Sequence, residues 1–203
     1  RYPLVTGVQT CALPISTSMY FDGTGDYLLF SNMEKILPTQ SMMTSSWTWE
    51  CWTYIVARHT ASDSWDWPVL FGGPGNIFAI GPTSVGRLRV QWYIGGSGGE
   101  RRCTGSSTVP LTTWTHLAVA VTAGAFKFFI NGVQETLDTT YSNSQTSFQN
   151  NIFTTTGSMY VGGGFGRGDF NGYIDDLRIT NGYVRYTANF DAPAALVAAG
   201  PIT

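Results

Sequence analysis

Charge is scarce in this chain. Of 203 residues only 12% are Asp, Glu, Lys or Arg, lysine occurs only at Lys35 and Lys127, and the formal net charge is −2. A nucleic-acid-binding surface needs a basic patch or stripe, and the scattered cations here do not make one. Long apolar runs are missing as well, so no segment reads as a membrane-spanning helix, and no membrane insertion is expected. Cysteine occurs three times, at Cys11, Cys51 and Cys103. No CxxC or Cys/His spacing suggests zinc, and two or three cysteines do not make a disulfide framework. Cys51 lies among tryptophans and reads as a small buried apolar group, with a Cys51–Cys103 bridge as the alternative. The four glutamates, Glu34, Glu50, Glu100 and Glu135, are far apart. No GxSxG, HExxH or phosphate-cradling glycine loop is present. GGGFGRG (Gly162–Gly168) has a GxGxxG-like spacing, but no helix follows it.

What the chain has in quantity is glycine, 24 residues, and aromatic side chains, 14%. From Met19 onward, short strand-like runs alternate with glycine-rich or polar turns. SMYF and YLLF flank the turn Asp22–Asp26. WTWECWTYIV (Trp47–Val56) reads as a long strand, and LF and NIFAI follow a proline-marked loop. RLRVQWYI (Arg87–Ile94) alternates cleanly, with Leu88, Val90 and Trp92 on one face. WTHLAVAVT, FKFFI, VQETL, SMYVGG and YIDDLRIT complete the series. The period is two nearly throughout, and about a dozen such strands predict an all-β, antiparallel two-sheet sandwich. Asn131-Gly132, between FKFFI and VQETL, fits a two-residue type I′ turn, because both residues accept positive φ. It marks a hairpin and carries no chemistry.

The first sixteen residues stand apart. Val5–Ile15, VTGVQTCALPI, matches residue for residue the in-frame translation of a common sequencing-library adapter. Residues 1–16 are therefore expected to be non-native and are set aside. The chain is expected to be a fragment from assembled environmental DNA, with its native N-terminus unknown.

Four stretches together resemble the laminin-G-like, concanavalin A-like jelly-roll domains. They are SMYFDGTGDYLLF (Ser18–Phe30), WTWECWTYI (Trp47–Ile55), WTHLAVAVTAGAFKFFINGVQ (Trp114–Gln134) and SMYVGGGFGRGDFNGYIDDLRITNGYVRYTANFDAP (Ser158–Pro193). The resemblance covers residues 17–195 and leaves 196–203 as a tail or the start of a linker. It implies a non-catalytic module that binds glycans or proteins. The short variety is similar to domains of bacteriophage tail and other virion proteins, and of bacterial surface proteins. The implied partners are a surface glycan or other virion proteins, and the implied location is a virion or the cell exterior. A structural protein–protein interaction domain is the first alternative. A glycoside hydrolase, which would use two carboxylates flanking the scissile bond, is the second, and the clustered ExDxE-type strand motif of such jelly-roll enzymes is missing.

Several residues are candidates for ligand contact. Trp65 and Trp67, with Asp63 and Asp66 beside them in SDSWDWP, offer flat apolar faces for a sugar ring and carboxylates for its hydroxyls; the other reading tucks one Trp into the sandwich edge. Trp52, Tyr54, Trp114, His116 and Phe129 form a second candidate on faces opposite the expected core. Glu50 and His116 are the one titratable pair expected to share a face, without a nucleophile or orienting partner. Strict alternation puts Asp175 on a face with Leu177 and Ile179, pointing inward, where an ionised carboxylate needs partners. One reading joins it to Asp22 and Asp26 as ligands of a structural calcium ion, which takes six to eight oxygens. The other has the carboxylates accept turn N–H bonds, with no cofactor required. Arg167-Gly168-Asp169 spells RGD, a short match read as turn residues, and Arg101-Arg102 is read as a solvated loop able to touch an anionic glycan.

Overall fold

The computed structural model describes residues 18–31, 45–59, 68–73, 78–93, 99–140, 143–148, 158–163 and 168–194. Among these residues twelve strands follow one another: β1 (Met19–Asp22), β2 (Leu28–Phe30), β3 (Trp47–Ala57), β4 (Phe71–Gly72), β5 (Phe78–Pro82), β6 (Arg87–Tyr93), β7 (Glu100–Thr108), β8 (Thr115–Thr122), β9 (Ala125–Ile130), β10 (Val133–Gln134), β11 (Met159–Val161) and β12 (Asn171–Asn181). They form two antiparallel sheets of six, in the orders β1-β12-β3-β8-β9-β10 and β2-β11-β4-β5-β6-β7. No helix long and apolar enough to cross a membrane occurs among the described residues.

The expected alternation builds the core. Trp47, Trp49, Cys51 and Ile55 of β3 face inward with Leu117, Val119 and Val121 of β8 and Phe126 and Phe128 of β9. Phe78, Ile80, Leu88, Val90, Trp92 and Cys103 meet them from the second sheet. Phe148 wedges between the layers against Trp47, Trp92 and Phe126, with ring centroids 6.3, 4.9 and 4.6 Å away. Aromatic packing of this kind contributes about 0.5–1.5 kcal/mol per pair beyond the area it buries. Cys51 and Cys103 are free thiols, and burial pushes both well above the ordinary thiol range.

Two features were not expected from the pattern. β7, ERRCTGSST, is a full strand paired with β6, and it carries Arg101 and Arg102 opposite Trp92 and Gln91 rather than in a loop. It escapes the period-two reading because Cys103 is its only strongly apolar residue. The segment after β10 then runs along the free edge of β7. Ser106 N–H donates to Thr136 O at 2.9 Å, Asp138 N–H to Thr104 O at 2.7 Å, and Gln145 N–H to Arg102 O at 2.8 Å. Edge groups left open would invite pairing with another chain, and this segment occupies them.

Candidate functional site

The outer face of the β1/β12/β3/β8/β9 sheet is built in rows, because residues in register on neighbouring strands present their side chains side by side. The first row is aromatic. Tyr20 pairs with Tyr173, and Tyr173 with Tyr54. Their ring centroids lie 4.8 and 6.0 Å apart, and Trp114 extends the row at 5.7 Å from Tyr54 and 6.3 Å from Tyr173. Tyr20 is 53% exposed, and Tyr173, Tyr54 and Trp114 are half-buried. The row crosses three inter-strand steps, roughly 14 Å at about 4.8 Å each. The second row is Asp175, Trp52 and His116, in register across β12, β3 and β8. The Trp52 ring meets His116 edge-on at 5.4 Å.

Beyond His116 the face is closed. After β12 the chain turns back and lays Val184, Tyr186 and Phe190 onto Ala118, Ala120 and Phe129. Tyr186 and Phe190 stack with centroids 3.6 Å apart, and His116 stands edge-on to both. Polar bonds fix this strap. Lys127 Nζ donates to Thr187 O at 2.6 Å, Asn189 Oδ1 accepts from Gln134 N–H at 2.9 Å, and Phe190 N–H donates to Gly132 O at 3.0 Å. Beneath the strap lies Glu50, 3% exposed. Its Oε2 accepts from Tyr186 Oη at 2.6 Å and lies 3.2 Å from His116 Nε2; its Oε1 lies 2.9 Å from Arg185 Nε and 3.6 Å from a terminal nitrogen of Arg178. Burial pushes the Glu50 carboxyl upward, but the hydrogen bonds from His116 and Tyr186 and the Arg185 charge outweigh it and hold the group below its ordinary value. His116 is 2% exposed. Glu50 and His116 thus share a face as expected, yet the strap leaves both buried.

Asp175 departs from its expected direction. Asp175 pairs with Trp52 and Arg178 with Glu50, so two residues of β12, Asp176 and Leu177, stand opposite Cys51 alone. This is a β-bulge, and Asp176 takes φ +46° within it, a left-handed conformation that Asp tolerates better than most residues. The bulge shifts the alternation by one: Leu177 and Ile179 pack on the core, while Asp175 points outward beside Trp52. The Asp176 N–H donates to Asp175 Oδ1 at 2.8 Å, and Asp175 Oδ2 is buried without a hydrogen-bond partner among the described residues. Burial raises the Asp175 carboxyl above its ordinary value; the Asp176 N–H opposes this and the Asp176 charge adds to it. An unpaired buried oxygen is costly, and where one persists a function is a common reason.

The other predicted residues are scattered. Asp22 and Asp26 sit in the β1–β2 turn: Asp22 Oδ1 accepts from Thr24 N–H at 2.7 Å, and Asp26 Oδ2 from Asp22 N–H at 3.1 Å. Asp22 is in register with Asn171, four residues along β12 from Asp175, or roughly 13 Å at about 3.3 Å per residue. Asp22 and Asp26 meet in this turn but Asp175 lies apart from them, so the three are not gathered as one calcium shell. Asp169 of the RGD tripeptide instead joins this turn, its Oδ2 accepting from Gly25 N–H at 2.7 Å. Arg167 lies outside the described residues, as do Asp63, Trp65, Asp66 and Trp67. Tyr20 and Tyr173, which the structure adds to the row, are not among the residues the sequence singled out. Tyr173 faces the same side as Asp175, so the bulge that misdirected the reading of Asp175 hid this partner too.

The family described as the concanavalin A-like lectin/glucanases superfamily matches residues 22–185 of the chain. Comparison with the curated proteins gives no match. Among solved structures, the chain is similar to the IT-sialidase CBM40 of Ruminococcus gnavus bound to α2,3-sialyllactose, with 14% identity over 84% of this chain and 94% of that one and a TM-score of 0.54. It is similar also to the native heptameric SAP-like pentraxin of Limulus polyphemus, with 13% identity, 81% and 75% coverage and a TM-score of 0.50. A third is the Trypanosoma rangeli sialidase, at 11% identity and a TM-score of 0.54, where 86% of this chain matches 26% of that one. At these identities the likeness is one of fold.

Proposed function

The chain belongs to the concanavalin A-like lectin/glucanases superfamily, and from that premise we propose that it is a non-catalytic module that binds a surface glycan on the open half of the β1/β12/β3/β8 face. The observation that carries the reading is the aromatic row of Tyr20, Tyr173, Tyr54 and Trp114, with Trp52 and an incompletely bonded Asp175 alongside. Aromatic rings give a sugar's C–H face an apolar surface that needs little ordering, and a carboxylate accepts from its hydroxyls. A fold relative, the Ruminococcus gnavus CBM40, is seen with sialyllactose, which supports carbohydrate recognition as a use of this fold. The sealing of Glu50 and His116 supports a module without turnover. Calcium has no place in this reading, so EDTA should leave binding unchanged. The setting we propose is a phage tail or other virion protein, or a bacterial surface protein.

The same rings favour a second reading, because Trp and Tyr also anchor protein interfaces. In that case the domain is a structural part of a virion and its contacts are to protein alone. A glycan array separates the two. Wild type should give a specific signal that Trp52→Ala/Tyr173→Ala abolishes at unchanged circular dichroism. Trp65→Ala/Trp67→Ala, run in parallel, tests whether that loop contributes. A silent array from folded protein would reject the glycan reading and favour the structural one.

A further inference from the structure

The charges around the open rows say what kind of glycan they suit. Among the described residues the cations on this face lie on the closed half and are already engaged. Arg185 and Arg178 both pair with Glu50, and Lys127 donates to Thr187 O. Among the described residues the charged groups beside the open rows are Asp175, Asp176 in the bulge next to it, and Asp22, two residues along β1 from Tyr20. The large side chains of those rows are the tyrosines and tryptophans already named. Counting Arg178, Arg185 and Lys127 against Glu50, Asp175 and Asp176, three positive charges meet three negative ones, but the positive ones lie on the closed half and Asp175 and Asp176 lie beside the rings. A sugar carboxylate laid on the tyrosine row would meet Asp175 instead of a guanidinium, and like charges at close range disfavour binding. A neutral sugar has the opposite fit: its hydroxyls are hydrogen-bond donors, and Asp175 Oδ2 lacks one. The terminal torsion of a carboxylate is soft, so this oxygen can turn to a donor lying on Trp52.

We propose that this face takes an uncharged glycan, a hexose- or pentose-based chain lying along Tyr20, Tyr173, Tyr54 and Trp114 with a hydroxyl donated to Asp175, and that it rejects sialylated and uronic-acid-containing glycans. The inference rests on the glycan-binding reading above. The test is a binding titration of folded protein against neutral oligosaccharides (cello-, xylo-, manno- and galacto-series) and against sialyllactose and oligogalacturonate, with and without added salt. We expect binding from the neutral set only, insensitive to salt, weakened about ten- to a hundredfold by Asp175→Ala, and unaffected by Arg178→Gln. Binding of an acidic glycan that weakens with salt and is lost in Trp52→Ala/Tyr173→Ala would overturn the ligand class while leaving the site standing. Binding of any glycan that survives Trp52→Ala/Tyr173→Ala would overturn the site itself. No binding to either set would overturn both.

Discussion

Asp175 concentrates the chemistry of the open face in one residue. Its folded-state carboxyl ionises above its ordinary value of 3.8. The native state therefore holds the proton more tightly than the unfolded chain, and stability falls as pH rises through that window. At neutral pH the burial cost of the charge is fully present. Asp175→Asn should raise the melting temperature at pH 7, and the gap to wild type should close below about pH 4 as both side chains become neutral. A scanning-calorimetry pH series checks this, and a lower melting temperature for Asp175→Asn at pH 7 would show that the carboxylate has a structural partner. If Asp175 serves the proposed site, its cost to the fold is a stability–function trade-off of the usual form. The sequence could not reveal this orientation. Strict alternation pointed Asp175 inward, and only the bulge at Asp176, one residue of left-handed backbone, turns it out.

Glu50 has the opposite sign. Its folded-state carboxyl lies below the ordinary 4.5, so its contribution is present above that pH and is lost as the pH falls through the folded-state value. Glu50→Gln should flatten the acid limb of the stability curve. Persistence of the full wild-type acid transition in Glu50→Gln would mean that another carboxylate controls it.

At the scale of elements, the strap from Val184 to Phe190 is the part whose removal would change most. It covers Phe129 and seals Glu50. Glu50→Ala would leave Tyr186 and His116 without their acceptor, and losing one partner of a buried ionic network costs about 3–5 kcal/mol. Faster proteolytic cleavage around residues 183–190 would accompany it. Gly132 is the second anchor. It has φ +77°, and a Cβ there would lie only 1.9 Å from the backbone oxygen of Phe190. Gly132→Ala should therefore lift the strap as well as strain the turn, lowering the melting temperature by about 5 °C for a cost of roughly 2 kcal/mol. An unchanged melting temperature would show that the strap does not depend on this approach. Asn131-Gly132 was legible as a hairpin turn from its residue types alone. That the same glycine admits a segment nearly sixty residues later was not, because a close approach leaves no local pattern.

For the whole molecule, legibility follows burial. The two-sheet sandwich could be read because inward positions on β3, β6, β8 and β9 alternate strongly between apolar and polar residues. β7 escaped because one of its faces is polar and the other is nearly without large apolar groups. The aromatic face was half legible. Trp52, Tyr54 and Trp114 stood out as large rings on the non-core side, whereas Tyr20 and Tyr173 join them only through the register β1-β12-β3, which local sequence does not encode. His116 and Phe129, grouped with them in the sequence, belong to the strap side because an element distant in sequence covers them.

The central claim is that the open aromatic rows bind sugar. The most direct measurement is isothermal titration of the strongest glycan-array ligand into wild type and into Trp52→Ala/Tyr173→Ala, each verified as folded by its melting curve. Two lost ring contacts at about 1.4 kcal/mol each predict roughly hundredfold weaker binding in the variant. Equal affinities in the two proteins would contradict the account and move the site off this face.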